Sequence, residues 1–370
     1  MQQGEITSWT ALRGVAALWI VLFHFWPQLA TETAPQLIAK GYLAVDMFFV
    51  LSGAVLMLVY QTEIARGDFR LGTFALKRLA RLYPVHLVTM LLALVILLGG
   101  PALGFAGRPL DYDIPTMVAL HLALLHAWGF VPTGGLNFPS WSISAEAFAY
   151  TLFPALALFM LRLSPRAALP IALAVFLIYC AAFETLCTDH LRRIDGDLTL
   201  TRLAADHGIL RIVPSFVLGM GLVRTLGTNA DPRWGAPLCG AALAAMTGGL
   251  AASHDLLFIL SFTALLGGLL LWQPQAPRPM RFLGRISYSL YMVHGLVQIV
   301  GFKLIETIGG WPDGEVPILF LGPMIGLSLC AGWGLFVLVE EPCRRWLVRR
   351  FAAPEVRTQA RSDAGRRLST

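Results

Sequence analysis

Ten apolar runs, each long enough to cross a lipid bilayer as a helix, are the feature of this sequence that most restricts its fold. A transmembrane helix needs about 20 predominantly apolar residues, and it satisfies its backbone hydrogen bonds within its own span. The sequence therefore predicts an all-α integral membrane protein of about ten transmembrane helices. The predicted spans are residues 11–27, 42–60, 83–100, 143–161, 168–186, 209–226, 235–252, 255–273, 287–306 and 316–339.

Composition and length fit this fold and leave little room for a second, soluble domain. Of the 370 residues, 56% are apolar and 14% are charged, whereas soluble domains carry roughly 25% charged residues. We expect one transmembrane domain over residues 1–350 and a disordered cytoplasmic tail over residues 351–370. The first run is predicted to be a retained helix and not a signal peptide, because it contains Arg13 and His24 and follows no basic residue.

The distribution of basic residues predicts the orientation in the membrane, because lysine and arginine concentrate in cytoplasmic loops. With ten spans and a cytoplasmic amino terminus, twenty of them lie on the cytoplasmic side and five outside. If the ambiguous segment 115–130 also crossed, eight would lie inside and seventeen outside. We therefore predict that both termini are cytoplasmic and that segment 115–130 is a short re-entrant or interfacial helix on the outer side. The net charge of +6 anchors the protein among membrane lipids, and no nucleic acid partner is expected.

The first span carries two ionisable residues, Arg13 and His24, inside an apolar helix. They are eleven residues apart, which places both on one face and separates them by about 16.5 Å along the axis. Arginine binds phosphate or carboxylate through its donor fork, and histidine exchanges protons near neutral pH. Because charge inside a membrane is costly, we favour function over an interfacial arginine and a histidine that only bonds a neighbouring helix.

Six motifs, spread over nearly the whole chain, place charged or polar residues beside apolar helix sequence. They are LRGVAALWIVLFHF (12–25), GYLAVDMFFVLSG (41–53), FALKRLARLYP (74–84), WSISAE (141–146), FLGRISYSLYMVH (282–294) and EEPCRRW (340–346). In this order they resemble the acyltransferase-3 family, whose first helix carries an arginine, ten residues and then a histidine. Some members append a soluble transferase domain, and the sequence here resembles the membrane domain alone.

The resemblance implies a membrane acyltransferase that moves an acyl group, expected to be acetyl, from cytoplasmic acyl-CoA to a hydroxyl of an extracytoplasmic carbohydrate or glycolipid. It implies the bacterial inner membrane as the location and acyl-CoA (acetyl-CoA) as co-substrate. No metal is predicted, because the remaining histidines show no ligand spacing. The acceptor is left open, because family members modify several cell-surface glycans and some small molecules. A transporter or flippase of a glycan or lipid-linked substrate is the alternative, although the sequence lacks the matched halves with interrupted helices that are typical of secondary transporters.

Three basic residues, Lys77, Arg78 and Arg81, lie at the predicted inner end of the third span. Arg78 and Arg81 share one helix face at i and i+3. Such a cluster suits the phosphates of coenzyme A, although anchoring to the inner leaflet is an equal alternative. Together with Arg13, the resemblance favours donor binding.

Two acidic residues enter the membrane from the outer side. Asp46 begins the second span at about the depth of His24 and is predicted to orient this histidine, or else to cap its own helix. Glu146, one turn into the fourth span, is predicted to orient His24 or to bind sugar hydroxyls. In the same motif, Trp141 is a candidate to stack on a sugar ring or to anchor at the interface, and Ser142 is a candidate sugar contact or helix cap.

The ninth span carries a polar stripe, because Ser287, Tyr291 and His294 recur at i, i+4 and i+7. With a helix that begins at residue 287, His294 lies about 10 Å above the inner surface. Tyr291 and His294 are candidates to line the donor channel, and a hydrogen bond between core helices is the alternative. His24 itself is predicted to act as the general base for the acceptor hydroxyl, with a covalent acyl-histidine as the alternative chemistry.

Overall fold

The computed structural model describes residues 6–100, 113–130, 135–186, 200–203, 207–227 and 231–352. In this part of the chain, ten helices are long and apolar enough to cross a membrane, and no strand is formed. The prediction of an all-α integral membrane protein is therefore confirmed. Residues 353–370 of the predicted tail lie outside the described residues.

We number the spanning helices α1 to α10 along the chain. They are α1 (Thr7–Phe25), α2 (Leu43–Arg66), α3 (Leu71–Gly99), α4 (Trp141–Arg162), α5 (Pro165–Leu186), α6 (Gly208–Leu226), α7 (Gly235–Ala251), α8 (Asp255–Trp272), α9 (Arg278–Val297) and α10 (Leu321–Leu335). Turns of π-helix prolong the last two helices, so that α9 continues through Lys303–Gly309 and α10 through Glu341–Leu347 to Ala352.

Two helices begin nine or more residues earlier than apolarity alone predicts. The third starts at Leu71 and not at residue 83, because leucine, lysine, arginine and alanine are good helix formers even where they are too polar for the bilayer core. The ninth starts at Arg278 and not at residue 287. His294 is therefore sixteen residues, or about 24 Å, from the start of its helix. The predicted height of about 10 Å assumed a helix start at residue 287, so His294 lies further along its helix than that prediction placed it.

Consecutive spans alternate in direction, so the molecule has two ends. We call the end that holds the start of α1 and of α3 the basic end, and the opposite end, reached by the last turn of α1, the His24 end. Between α3 and α4, the described residues 113–130 and 135–140 lie at the His24 end. Their helix, Ile114–Leu122, has nine residues and is too short to span. It is fastened to α3 where Tyr83 Oη donates to the carbonyl of Leu122 over 2.7 Å, and segment 115–130 does not cross the membrane.

Glycines set the closest helix contacts. A Cβ on Gly219 of α6 would lie 1.9 Å from the carbonyl oxygen of Val50 in α2, and a Cβ on Gly284 of α9 would lie 1.8 Å from that of Thr10 in α1. Only glycine allows backbones to approach so closely in a membrane bundle. Helices α1 and α9 therefore touch near the basic end. Both are odd-numbered spans, so they run in the same direction from this contact.

Candidate active site

The histidines of α1 and α9 meet at the His24 end. Nε2 of His294 lies 3.0 Å from Nδ1 of His24, and the two ring centroids are 5.0 Å apart. Gly14 lies against Gly284, and each histidine follows its glycine by ten residues. Because the two parallel helices rise equally, by about 15 Å over ten residues, the glycine contact brings the histidines to the same height.

Asp46 is not the partner of His24 that its depth predicts. Its Oδ2 lies 2.6 Å from Nη2 of Arg211, and its Oδ1 lies 3.2 Å from Nε of the same guanidinium. Both side chains are at most 3% exposed. The remaining donors of Arg211 reach the carbonyls of Leu203 and Tyr42 over 3.0 and 2.8 Å. Asp46 therefore neutralises a buried arginine on α6, which corrects its predicted role.

Glu146 also has partners other than His24. Its Oε1 accepts hydrogen bonds from Ser52 Oγ over 2.7 Å and from Tyr150 Oη over 2.6 Å. The carboxylate faces an internal cavity that is also lined by Arg13, Arg78, Arg81, Ser142 and Tyr291. We call this cavity the arginine chamber. The structure thus brings together six predicted site residues that come from four different helices.

The arginine chamber has a volume of about 100 Å³ and carries three guanidinium groups against one carboxylate. Arg78 also lies over three aromatic rings, 5.8 Å from the centroid of Tyr60, 6.0 Å from that of Phe74 and 5.9 Å from that of Tyr150. The Nε atom of Arg78 is buried without a hydrogen-bond partner. A net positive cavity with an unpartnered donor suits an anionic or carbonyl-bearing ligand.

A second cavity of about 380 Å³ opens beside the chamber at the basic end. We call it the basic groove. It is lined by six cations, namely Lys77, Arg78, Arg81, Arg344, Arg345 and Arg349. Arg78 and Arg81 line both cavities. Glu341 pairs with Arg344 and Arg345 and partly neutralises their charge. The other four cations of the groove are Lys77, Arg78, Arg81 and Arg349.

Sequence reasoning missed the three arginines of α10 as parts of a site, because it only counted them among the basic residues of the predicted cytoplasmic side. The signal was their spacing: Arg345 and Arg349 are four residues apart, which places them on one helix face. The helix was also predicted to end at residue 339, whereas it continues to Ala352. Its extension places these arginines beside the start of α3.

Tyr291 connects the arginine chamber with the histidine pair. Its hydroxyl accepts a hydrogen bond from Ser142 Oγ over 2.9 Å at the chamber. Its carbonyl oxygen lies 2.5 Å from Nδ1 of His294. Tyr291, a candidate for the donor channel, and Ser142, a candidate sugar contact, therefore lie side by side at the chamber. His294 lies with His24 and does not line the chamber.

Trp141 lies in the packing between helices and not on an open surface. It is 8% exposed, and the guanidinium of Arg211 lies 5.4 Å from its ring centroid. Phe49 contacts it edge to face at 6.0 Å. Because Arg211 and Phe49 occupy its surroundings, Trp141 is placed as support for the Asp46–Arg211 pair, which corrects the predicted sugar platform.

Three further histidines stack in parallel at the His24 end. The ring centroids of His121 and His126 are 3.9 Å apart, and His86 lies 5.8 Å from His126. Nδ1 of His121 lies 2.8 Å from the carbonyl of Met117, and its Nε2 accepts from the amide of Leu136 over 3.1 Å. Burial lowers the pKa of His121 to about 4 and the pKa of His126 well below its usual value. These two histidines are therefore neutral at physiological pH.

The site as a whole combines a cluster of cations at one end with two contacting histidines at the other. The fold and the site define a multi-pass membrane enzyme with the parts for group transfer. The chain belongs to the acyltransferase-3 family, since it matches the family described as "Acyltransferase domain" over residues 6–337. It is a membrane acyltransferase.

Two curated proteins are similar to this chain. Acyltransferase MdmB of Streptomyces mycarofaciens is 29% identical over 380 residues, which cover 94% of this chain and 93% of that protein. Protein 2 in picA locus of Rhizobium radiobacter is 34% identical over 147 residues, which cover 36% of this chain and 73% of that protein. No solved structure matches the chain significantly.

Proposed function

We propose that this acyltransferase moves an acyl group, in particular acetyl, from cytoplasmic acyl-CoA to a hydroxyl of an extracytoplasmic carbohydrate or glycolipid. The observation that carries the proposal is the shared wall of the basic groove and the arginine chamber, formed by Arg78 and Arg81. It supports one continuous path for a long donor with an anionic head. In this proposal the basic end faces the cytoplasm of a bacterium and the membrane is the inner membrane, as the basic residues favour.

The head of the donor would bind in the basic groove. Coenzyme A carries several phosphate charges, and arginine forks form charge-assisted hydrogen bonds with phosphate oxygens. Lys77 and Arg349 supply cations at the open part of the groove, and Arg78 and Arg81 supply them at the wall that it shares with the chamber. The groove is open to solvent at this end, so the charged nucleotide does not enter the apolar layer.

The acyl-bearing arm of the donor would run through the arginine chamber along α1. Arg13 lines the chamber, and His24 stands eleven residues further, about 16.5 Å along the same helix. The pantetheine arm is of the same order of length. The thioester would therefore reach the histidine pair while the phosphates remain in the groove, with Arg13 positioned for the polar groups of the arm.

The chemistry would be general-base catalysis by His24. The acceptor hydroxyl oxygen attacks the thioester carbon while its proton passes to His24, the carbon–sulfur bond breaks, and the thiol leaves with that proton. An ester and free coenzyme A result. Glu146 would act in the chamber, where it holds Tyr150 and balances part of the arginine charge. The carbohydrate acceptor rests on the family resemblance, and it would approach His24 from the opposite side of the membrane.

Binding and slow hydrolysis of acetyl-CoA by the purified protein test this function. Arg349→Gln should weaken acetyl-CoA binding at least tenfold, because it removes a cation of the groove. Arg233→Gln is the matched control, since Arg233 lies at the same end but its side chain is 90% exposed and pairs with Asp231. Equal, unchanged binding in both variants would oppose a donor site in the groove. A protein that moves glycans across vesicles without consuming acetyl-CoA would instead be a transporter.

The acceptor is identified by comparing cell-envelope glycans with and without the protein by mass spectrometry. An ester-linked acetyl group that depends on His24 and appears only with the protein is the expected result. An acyl group found only on a diffusible small molecule would overturn the carbohydrate acceptor and leave the donor side standing.

A further inference from the structure

The hydrogen bonds around the histidine pair determine where its protons lie. Nδ1 of His294 is 2.5 Å from the carbonyl oxygen of Tyr291, and a carbonyl only accepts, so this nitrogen carries a proton. A neutral imidazole has one N–H, which makes Nε2 of His294 an acceptor. The atom 3.0 Å from this acceptor is Nδ1 of His24. His24 therefore donates from Nδ1, and its Nε2 keeps a free lone pair.

The surroundings hold both rings in this arrangement. Phe23 and Phe138 pack against the ring of His24 with centroids 5.0 and 4.9 Å away. Gln298 Nε2 donates to the backbone carbonyl of His24 over 2.8 Å, which ties the end of α1 to the end of α9. His294 is fully buried. These contacts hold the two rings beside each other.

Carboxylates, which orient the histidine in many acid–base sites, are engaged elsewhere in the described structure. Asp46 is paired with Arg211, and Glu146 accepts from Ser52 and Tyr150. His294 is the side chain that contacts the ring nitrogen of His24. Among side chains, the orienting role thus falls to a neutral imidazole that is itself oriented by a backbone carbonyl. The backbone carbonyl of Ile20, one turn earlier in α1, also bonds His24.

We propose that His294 is a positioning residue that holds His24 in the tautomer with the proton on Nδ1, so that Nε2 of His24 takes the proton of the acceptor hydroxyl. This inference rests on the proposed acyl transfer. When Nε2 receives the proton, His24 becomes a cation with two N–H groups, and Nδ1–H continues to donate to Nε2 of His294. The proton on Nε2 then passes to the departing thiolate, and the pair returns to its starting state.

The competing explanation is that His294 only joins two helices by a hydrogen bond, as any polar residue in a membrane bundle can. In that case the loss of His294 would affect the amount of folded protein and not the proton position on His24. The two explanations differ in whether another hydrogen-bond acceptor at position 294 restores kcat, and in whether His294 determines the tautomer of His24.

A matched pair of variants separates them. Glutamine in His294→Gln offers an amide oxygen near the position of Nε2, whereas methionine in His294→Met has a similar shape and at best a weak sulfur acceptor. We expect His294→Gln to keep kcat within a few fold and His294→Met to lower it about 10- to 100-fold, with the KM for acetyl-CoA unchanged in both. A general base contributes about 10²- to 10⁴-fold, so His294→Met should fall short of His24→Ala. Equal kcat in the two variants would overturn the proposal.

The tautomer can be read directly in the unaltered protein, and a variant is needed only to assign the signals. The chain has eight histidines, and solid-state NMR of protein labelled with ¹⁵N-histidine in bilayers distinguishes a protonated Nδ1 from a protonated Nε2. The signals of His24 are those lost in His24→Ala. A protonated Nδ1 is expected, and a protonated Nε2 would overturn the proposal.

The same set of variants distinguishes failure of this inference from failure of the proposed function. If His24→Ala transfers acyl groups normally, general-base catalysis by His24 fails and His294 loses its role with it. If His24→Ala is inactive while His294→Met has a normal kcat, the proposed function stands and only the positioning role is overturned.

Discussion

Arg211 holds Asp46 through two nitrogens of its guanidinium, although the two residues are 165 positions apart and both lie within apolar helices. Neither side chain is more than 3% exposed. A buried pair of this kind does not necessarily add stability, but removing one partner leaves a charge unpaired in a dry environment. The pair therefore fixes α2 against α6 and makes each residue dependent on the other.

Removal of Arg211 should destabilise the protein strongly. Arg211→Met is expected to cost about 3–5 kcal/mol, because the carboxylate of Asp46 loses its partner while it remains buried. The double variant Asp46→Leu with Arg211→Met should recover most of this loss. Thermal unfolding in detergent, followed by the fraction of monodisperse protein, measures both. Additive losses in the double variant would show that the two residues act independently.

The close contact of α1 with α9 should be needed for activity. A Cβ on Gly284 would lie 1.8 Å from the carbonyl oxygen of Thr10, against 3.4 Å for ordinary contact. Gly284→Ala must therefore separate the helices, and a displacement of about 1 Å at a catalytic pair costs on the order of 100-fold in rate. Gly240→Ala is the control, because a Cβ there meets nothing within 4 Å. Equal acyl transfer per folded molecule in both variants would contradict this prediction.

Acid should open the segment that carries the stacked histidines. The pKa of His121 is lowered by burial from 6.5 to about 4, so the unfolded segment binds a proton first as the pH falls. The contribution of neutral His121 to the stability of this segment is fully present above pH 6.5 and is lost as the pH falls towards 4. The loss is about 1.4 kcal/mol per pH unit and about 3 kcal/mol in all. The groups that face His121 are His86 and His126, and neither supplies a negative charge.

Hydrogen exchange of residues 114–128 measures this opening. Exchange corrected for its intrinsic pH dependence should be faster at pH 4.5 than at pH 7, and the half of α3 at the basic end should show no such change. His121→Asn, with a shorter neutral side chain, should reduce the pH dependence. Exchange of this segment that is independent of pH would mean that the histidines are already accessible to water.

The sequence was sufficient for the number of helices and for the short segment at residues 115–130, because span length and the distribution of basic residues are properties of a single chain. It was insufficient for helix partners. Spacing places Asp46 near the depth of His24, but several helices share each depth, and the carboxylate pairs with Arg211 instead. Arg211, like Arg13, lies inside an apolar run of the sequence. A search for the counter-ion of Arg211 would have led to Asp46.

The histidine pair shows the same limit. His24 and His294 were each recognised by their place in a polar stripe, which depends on helix periodicity alone. Their contact depends on how α1 and α9 are aligned, and this alignment is set by the backbone contact of Gly14 with Gly284. The prediction that α9 begins at residue 287 also placed His294 too close to the start of its helix. Helix ends that leave the apolar layer are invisible to hydropathy, and the arginines of α10 were missed for this reason.

Cysteine labelling tests the orientation that the donor path requires. In a variant without the five native cysteines, Glu315→Cys at the exposed turn between α9 and α10 should react with an impermeant maleimide on intact cells. Arg233→Cys, which is exposed between α6 and α7 at the basic end, should react only after the cells are opened. Labelling of Arg233→Cys alone on intact cells would reverse the orientation and separate the basic groove from cytoplasmic coenzyme A.

Arg13 provides the sharpest test of donor recognition, because its charge and its geometry can be separated. Arg13→Lys keeps a positive charge in the arginine chamber but replaces a planar fork by a single ammonium group. If Arg13 binds the phosphate or carbonyl groups of the donor through two parallel hydrogen bonds, the KM for acetyl-CoA should rise about tenfold or more while the protein still inserts and folds. If Arg13 only anchors α1 near the membrane surface, lysine should serve equally well. The measurement is the KM and kcat for acyl transfer per folded molecule, with Arg13→Gln beside it to show the loss of both charge and fork. Normal acyl transfer and donor affinity in Arg13→Lys would count against recognition of the donor by the fork of Arg13.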